Sequence, residues 1–287
     1  MSVQSTSLIY PDWPAPKTVK AFSTTRLGGV SRWPYDSLNL GDHVGDSTAD
    51  VAANRRHLQQ LLGEAVRCQW LRQVHGTQVV NAAEFGSASE SKLASGTVSE
   101  ADASVSQLSN VACLVMTADC LPVLFCDRAG TRVAAAHAGW RGLADGVLEA
   151  TLSALGCPAE EVICWLGPAI AQDAFEVGDE VRQRFCDQHA GAAAAFKRRA
   201  EHPQKWFADL YTLARLRLSL AGVAAVYGGN FCTFSDTERF FSYRRDGQTG
   251  RMASLVADEC EVAGLVCLGY PFHPPANPEK TRTEHLA

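Results

Sequence analysis

Three side chains of this sequence, His75, Cys120 and His137, could together bind a metal ion. Cys120 and His137 each end an apolar segment, and His75 precedes a glycine after a third segment. Two imidazoles and a thiolate suit zinc, and catalytic zinc sites commonly keep three protein ligands and leave a fourth position open for water. Such a water would have its pKa lowered to about 7 and would supply hydroxide at neutral pH. The three residues are widely separated along the chain, so they do not form a compact metal-binding motif.

The same residues could instead form a nucleophilic site. Cys120 would attack the substrate, and His137 or His75 would act as the base. Gly139 would begin a helix whose first backbone N–H groups could stabilise an oxyanion or bind phosphate. A third interpretation is that His75, Cys120 and His137 are unrelated buried positions. The residue types alone leave these alternatives open.

Apolar segments predict the strands that would position these side chains. Residues 111–117, 121–126 and 133–137 have the length and composition of buried β-strands. Cys120 therefore lies in the turn between the first two strands, and His137 lies at the end of the third.

Helices are predicted where apolar residues recur at helical spacing, from 49 to 62, from 139 to about 155 and from 206 to 220. Helices and strands alternate irregularly, and neither a GxGxxG nor a GxxxxGK[ST] fingerprint is present. We therefore predict an α/β (α+β) fold, with one domain of mixed β-sheets flanked by helices over residues 1–270.

Three further segments complete this prediction. Residues 82–100 are rich in Ala, Ser, Gly and Glu and are predicted to be a flexible loop. Residues 262–268 are apolar and are predicted to be a core strand. Residues 271–287 are proline-rich and charged and are predicted to be a disordered tail.

Composition excludes few functions but disfavours some. The chain has 287 residues and a formal net charge of -5, without a long block of one sign, which argues against a nucleic-acid partner. No run of 18 apolar residues predicts a membrane span, and the first residues lack a signal-peptide pattern. The ten cysteines contain no CxxC pair, so reduced thiols and a cytoplasmic location are expected.

Four motifs include the candidate residues: RQVHG at 72–76, TADCLP at 117–122, AAHAGWRG at 135–142 and SYRRDGQTGR at 242–251. Together with STTRLGGVS, SLNLGDHVGD and LGPAI elsewhere in the chain, they resemble the signatures of the laccase-domain (YfiH-type) family. The motifs stand in the family's order, and the resemblance extends from about residue 22 to residue 268.

This resemblance implies a YfiH-like single domain with zinc held by His75, Cys120 and His137. It also implies phosphorolysis of adenosine, inosine and methylthioadenosine, together with deamination of adenosine. Other names in the family imply copper-dependent phenol oxidation, or a cysteine hydrolase or amidase acting on peptidoglycan precursors (peptidoglycan editing). Oxidation by several copper ions needs several histidine-rich sites, and only two of the eight histidines lie in the core motifs, so zinc is favoured over copper.

Further residues are predicted around the metal ligands. Catalytic roles are predicted for Cys120, His137, Asp119 and Arg26, and binding of substrate or phosphate is predicted for Arg26, Gln73, Gly139, Arg141 and Arg244. The expected partners are purine nucleosides and phosphate, with no nucleic acid and no membrane, in a monomer or homodimer. A non-catalytic binding protein is the remaining alternative, and it would show no turnover of nucleosides.

Overall fold

The computed structural model of the protein describes residues 8–82 and 99–258. Most of the predicted 82–100 loop, the predicted strand at 262–268, the domain boundary at 270 and the predicted tail lie outside the described residues.

The described residues form short and long strands. In chain order these are β1 (Leu8–Ile9), β2 (Val19–Thr24), β3 (Arg67–Gln69), β4 (Leu71–Arg72), β5 (Val79–Asn81), β6 (Ser99–Glu100), β7 (Ala103–Ser106), β8 (Val111–Thr117), β9 (Leu121–Asp127), β10 (Val133–Ala138), β11 (Val162–Leu166), β12 (Glu176–Gly178), β13 (Phe196–Arg198), β14 (Lys205–Ala208), β15 (Ala225–Gly228) and β16 (Met252–Asp258).

The α-helices are α1 (Thr48–Leu62), α2 (Trp140–Asp145), α3 (Val147–Leu155), α4 (Asp179–Cys186), α5 (Leu210–Leu220) and α6 (Tyr243–Asp246). Short 3₁₀ helices cover Ala159–Glu161, Gln172–Ala174 and Ala190–Ala195.

Two large mixed sheets pack face to face and place the core between and around them. One has the strand order β1-β2-β16-β8-β3 and the other β15-β11-β9-β10-β7-β5, and each combines parallel and antiparallel pairs. One hydrophobic cluster fills the space between the sheets, a second lies between the six-stranded sheet and helices α3 and α5, and a third lies between the five-stranded sheet and α1. The predicted single domain of mixed sheets flanked by helices is confirmed.

Strand β10 shows how this layering directs side chains towards the site. Ala134, Ala136 and Ala138 belong to the helix-facing cluster, whereas Val133 and Ala135 belong to the cluster between the sheets. Because successive side chains of a strand point to opposite faces, His137 continues the face of Val133 and Ala135, towards the space between the two sheets.

Two helix predictions were wrong in extent. The predicted helix from 139 to about 155 is two helices, because Gly146 adopts a left-handed conformation with φ 102° and ends the first of them. The predicted helix from 206 begins only at Leu210. Trp206 and Phe207 instead pair with Val177 and Glu176 in a three-stranded sheet, and the Asp209 side chain caps the helix by accepting from Thr212 N.

The cysteines of the described residues agree with the expectation of reduced thiols. The eight cysteines in the described residues are all free, and burial raises the pKa of Cys113 and Cys126 to about 12 in each case. Among the described residues, no helix combines the length and the apolar character that crossing a membrane requires.

Candidate metal centre

The structure brings His75, Cys120 and His137 together from three parts of the chain. His75 lies in the turn between β4 and β5, Cys120 lies in the turn between β8 and β9, and His137 lies within β10. One ligand atom from each lies within 4.8 Å of the others. Cys120 Sγ is 3.8 Å from His75 Nε2, and the rings of the two histidines lie edge to face.

Sheet pairing accounts for the approach of Cys120 to His137. Strands β9 and β10 are antiparallel, with His137 opposite Pro122 and Ala138 opposite Leu121. The turn that ends at Cys120 therefore lies beside the end of β10. His75 and Asp119, at the two turns, have φ values of 62° and 90°. Such values are uncommon for residues with a side chain and persist where the surroundings hold them.

Asp102 holds two of the three candidate ligands. Its carboxylate is fully buried and accepts hydrogen bonds from the backbone N–H groups of His75 at 2.9 Å and Gly76 at 2.7 Å. It also lies 2.8 Å from His137 Nδ1. Since Nδ1 faces this carboxylate, Nε2 is the nitrogen left to bind a metal, an arrangement that commonly orients metal-binding histidines.

Charges within this group shift their pKa values in opposite directions. Burial would raise the pKa of Cys120, but the nearby His137 and His75 imidazoles lower it to about 6. Burial would lower the pKa of His137, but the Cys120 thiolate and the Asp102 carboxylate raise it to about 9. Without a metal, a thiolate beside an imidazolium is therefore the favoured charge state of this pair.

Burial alone would also raise the pKa of Asp102, but the hydrogen bond from His137 and those from the backbone lower it below its ordinary value. The carboxylate is thus charged at neutral pH and can balance positive charge on His137 or on a bound cation.

Gly139 provides the space in which the three side chains meet. A Cβ atom added to it would lie 2.9 Å from His75 Cδ2 and 3.1 Å from Cys120 Sγ. Its φ of -62° and ψ of 156° are open to any residue, so it is the lack of space and not backbone conformation that favours glycine.

The donor set fits a metal ion such as zinc. Ligands at about 2.0 Å and 2.3 Å from a tetrahedral ion lie roughly 3.5 Å from each other, close to the 3.8 Å between His75 Nε2 and Cys120 Sγ. His75 is exposed whereas His137 is buried, so the cluster opens to solvent on one side. His75, Cys120 and His137 would hold the ion, with Asp102 behind His137.

Arg26 and Gln73, two of the other predicted site residues, are engaged in internal contacts. Arg26 donates to the backbone of Asp36 and Thr237 and pairs with the Asp36 carboxylate. The Gln73 amide accepts from Met116 N at 2.7 Å and donates to Met116 O at 2.8 Å. Gln73 thus ties the loop before His75 to strand β8.

The Asp119 carboxylate joins two loops that are distant in sequence. It accepts from Thr233 Oγ1 and from Arg244 N, both at 2.6 Å. Both carboxylate oxygens are therefore used within the protein, and these contacts support a role in holding the turn that precedes Cys120.

The helix that begins after Gly139, where an anion site is predicted, is shorter than the sequence predicts. The helix that follows Gly139 is α2, which spans six residues. Arg141 is exposed and stacks on the Trp140 ring, and Arg244 Nη1 donates to Glu176 O at 2.8 Å. The binding of substrate or phosphate by Arg26, Arg141 and Arg244 stays a prediction.

The comparison with known proteins now identifies the family. Residues 20–259 match the family model described as multi-copper polyphenol oxidoreductase laccase. The chain belongs to this laccase-domain family. A second model, described as an alpha/beta hydrolase domain, matches residues 247–287, a segment too short to define that fold.

Relatives cover most of the laccase-domain chain. A protein of Pseudomonas aeruginosa named purine nucleoside phosphorylase is 58% identical over 246 residues, which are 86% of this chain and 96% of the relative. Escherichia coli purine nucleoside phosphorylase YfiH is 52% identical over 249 residues, covering 87% of this chain and 98% of the relative.

Solved structures share the fold. A Neisseria meningitidis protein of the family model DUF152 has a TM-score of 0.82 at 54% identity, covering 88% of this chain and 100% of that chain. Bacillus licheniformis YfiH has a TM-score of 0.78 at 27% identity, with 89% and 98% of the two chains covered.

The family description refers to several copper ions, and the described residues offer one cluster. Within residues 8–82 and 99–258, His75, Cys120 and His137 form the only group of three or more His, Cys, Asp or Glu side chains close enough to share an ion. Multi-copper chemistry needs more than one such group.

Asp102 is the site residue that the sequence prediction missed. It stands alone between Ala101 and Ala103 in a segment whose residues are buried. A single carboxylate directly before a buried strand is a signal, because a buried charge requires partners. The sequence does not show that these partners are His137 and the His75 turn.

Proposed function

We propose that the protein is a zinc-dependent purine nucleoside phosphorylase that acts on adenosine, inosine and methylthioadenosine. The observation that carries this proposal is the convergence of His75, Cys120 and His137, oriented by Asp102, in a chain of the laccase-domain family. Relatives that share half or more of their residues with it are named purine nucleoside phosphorylases.

In this reaction an oxygen of hydrogen phosphate forms a bond to C1′ of the ribose, and the bond from C1′ to N9 of the purine breaks. The electron pair of that bond stays on the purine, which takes up the proton from hydrogen phosphate. A zinc ion at the site would supply Lewis acidity and a source of hydroxide at neutral pH. Asp102 keeps the His137 proton on Nδ1, so that Nε2 is free to bind.

Deamination of adenosine is proposed as a second activity of the same site. It adds water at C6 of the purine and releases ammonia, so it needs no phosphate. Adenosine therefore separates the two activities: phosphorolysis gives adenine and depends on phosphate, and deamination gives inosine without it.

The test measures metal content and products on the same preparation. Wild-type protein should contain about one zinc per chain and release hypoxanthine from inosine only with phosphate. Cys120→Ala should lose both metal and activity, because it removes one of three ligands. Cys186→Ala, a partly buried cysteine on α4, is the matched control and should keep both. Full activity in a metal-free Cys120→Ala protein would exclude the proposal, and copper in place of zinc would exclude the assigned metal.

A second candidate function rests on the arrangement of Cys120, His137 and Asp102. A thiol with a pKa of about 6, an imidazole beside it and a carboxylate on that imidazole form the arrangement of a cysteine hydrolase. Cys120 would attack an amide carbonyl of a peptidoglycan precursor, the amine would leave with a proton from His137, and water would release the acid. Here metal removal should increase activity and iodoacetamide should abolish it, whereas zinc bound to Cys120 should protect it from alkylation.

We propose that the reaction takes place in the cytoplasm, where free cysteines are the rule; the free state of the described cysteines supports this location. The proposed partners are small molecules, the purine nucleosides and phosphate, rather than nucleic acid or a membrane. The monomer or homodimer stays a prediction, which light scattering would test.

A further inference from the structure

An open cleft with a volume of about 350 Å³ lies beside the metal centre. Its lining includes His43, Tyr243, Gln248, Thr249 and Arg251. Tyr243 is the first residue of α6, and the next backbone N–H, that of Arg244, donates to Asp119, the neighbour of Cys120. The cleft is therefore next to the turn that carries a candidate ligand.

Thr249, one of the residues that line this cleft, carries a buried hydroxyl without a hydrogen-bond partner in the described part of the chain. The residue is 1% exposed, and its Oγ1 has no hydrogen-bond partner among the described residues. A buried hydroxyl without a partner is unfavourable, and in native structures such a group is usually satisfied by water or a ligand. Because Thr249 lines the cleft, a rotation of its side chain would offer this hydroxyl to a molecule bound there.

Arg251 brings a positive charge whose donors are only partly used. Its Nη1 donates to the carbonyl oxygens of Thr249 and Gly250, each at 3.0 Å. Its Nε and Nη2 have no hydrogen-bond partner within residues 8–82 and 99–258, and no carboxylate of those residues forms an ion pair with it, although the guanidinium carbon lies 6.0 Å from the centre of the Tyr243 ring. Two neighbouring N–H donors of a guanidinium match two oxygens of a phosphate or carboxylate.

The charge of Arg251 reaches both the metal centre and the mouth of the cleft. Burial lowers the pKa of Arg251, while the charges of Cys120 and Asp119 oppose this effect. Partial burial and the charge of Arg251 lower the pKa of the exposed His43, although Asp42 opposes this. Positive charge in the cleft is thus concentrated on the guanidinium, which stays protonated in proteins.

Two of the sequence motifs, SLNLGDHVGD and SYRRDGQTGR, supply the residues that line this cleft. Asn39 Oδ1, in the SLNLGDHVGD segment, accepts from Arg251 N and from Gly41 N, each at 2.9 Å. A Cβ on Gly41 would lie 2.8 Å from Arg251 Cγ, so the glycine leaves room for the arginine stem. Tyr35 joins both walls through Val44 O and Gln248 Nε2.

We propose that this cleft binds the phosphate co-substrate, with Arg251 donating to two of its oxygens and the Thr249 hydroxyl donating to a third. This inference rests on the proposed phosphorylase function and assigns its anion site. We prefer this site to the one formed by Arg26, Arg141, Arg244 and the helix start at Gly139. Arg26 and Arg244 make contacts within the protein, and Gly139 and Arg141 lie at the start of the short helix α2. A phosphate held here lies beside the Cys120 turn, as attack on a nucleoside at the metal centre requires.

The first experiment measures the phosphate KM at saturating inosine. Thr249→Val, which keeps the shape and removes the hydroxyl, should raise it about tenfold, and Arg251→Gln should raise it about a hundredfold. The inosine KM and the metal content should change less than twofold. Thr249→Ser restores a hydroxyl and should return the phosphate KM to within about threefold of wild type, which separates loss of the donor from loss of folding. Arg128→Gln, in the turn after β9, is the matched surface control and should leave all of these values unchanged.

The second experiment measures binding of inorganic phosphate by calorimetry to the metal-loaded protein, and it needs no turnover. Wild type should bind phosphate, and Thr249→Val and Arg251→Gln should bind it more weakly by the same factors. If wild type binds phosphate but phosphorolysis of nucleosides is absent, the proposed function fails and the anion site stands. The site is overturned if both variants bind phosphate like wild type, if wild type does not bind it at all, or if Arg141→Gln or Arg244→Gln weakens binding instead.

Discussion

At the scale of single residues, Gly139 controls whether three ligands can meet. We predict that Gly139→Ala lowers metal affinity at least tenfold, because the new methyl group would overlap His75 and Cys120. The backbone conformation at 139 accepts alanine, so the fold should persist. Zinc content after dialysis, together with far-UV circular dichroism, measures both effects.

Gly191→Ala is the matched control for this prediction. A Cβ at Gly191 would have Leu216 Cδ1 as its nearest neighbour, at 3.9 Å, which is an ordinary contact. This variant should bind zinc like wild type. Normal zinc content in Gly139→Ala would show that the ligands lie farther from residue 139 than the structure places them.

Asp102 is the second single residue on which the metal centre depends, because it contacts both His137 and the turn that carries His75. We predict that Asp102→Asn weakens metal binding about 10- to 100-fold, as loss of a carboxylate behind a metal-binding histidine commonly does. It should also destabilise the fold by about 2–4 kcal/mol, because an amide NH₂ would face backbone N–H donors in a buried site. Competition with a zinc chelator and urea unfolding of the metal-free protein measure the two effects separately.

The control for Asp102 is Asp127→Asn. Asp127 is also buried and accepts from Thr131 N at 2.7 Å and Arg132 N at 3.1 Å, at the far end of β9. It should lose stability without losing zinc. Equal zinc affinity in the two variants would argue against an orienting role for Asp102.

At the scale of elements, the turn between β8 and β9 connects the metal centre to two loops. Asp119 accepts from Thr233 and from the first turn of α6. We predict that Asp119→Asn and Thr233→Val both lower the melting temperature, by about 2–6 °C, since each weakens a buried hydrogen bond. Calorimetric melting of the two variants checks this.

The same pair of variants separates a structural role of Asp119 from a catalytic one. If Asp119 positions the turn, Thr233→Val should reproduce part of the activity loss of Asp119→Asn. If Asp119 transfers a proton, Asp119→Asn should be inactive at normal stability, and Thr233→Val should be fully active. The second outcome would favour the catalytic role that the sequence predicts.

At the scale of the whole molecule, the metal should act as a cross-link between distant segments. His75, Cys120 and His137 meet only in the folded chain, so an ion bound by all three stabilises the native state. At a free ion concentration of about 1,000 times Kd this contributes about 4 kcal/mol, or a shift in melting temperature of about 10 °C. Differential scanning calorimetry with and without a chelator measures the shift.

The metal-free protein should nevertheless fold, because three hydrophobic clusters form without the site. Cys120→Ala is the control and should melt at one temperature regardless of chelator. Complete removal of zinc from wild type without any change in melting temperature would show that the ion is not held by all three segments together.

The sequence by itself determined the strands and the identity of the candidate ligands. Apolar segments such as 111–117 and 121–126 are shorter than typical helices, so their length and composition predict β8 and β9. Cysteine and histidine at the ends of such segments stand out by residue type. The helix boundaries were less accurate, because one glycine conformation at Gly146 and the pairing of Trp206 in a sheet depend on context.

Tertiary structure decided which polar side chains serve the site. Asp102 and His137 are distant along the chain. Only the pairing of β7 with β10 brings the Asp102 carboxylate next to Nδ1 of His137. Arg26 and Gln73 looked available in the sequence, yet each is used by backbone groups that the fold brings to it. Thr249 and Arg251 line one cleft with His43 because strand β16 follows them and the 37–46 segment packs against them. Local composition sets strands and ligand types, whereas hydrogen-bond partners depend on nonlocal packing, which no short stretch of sequence encodes.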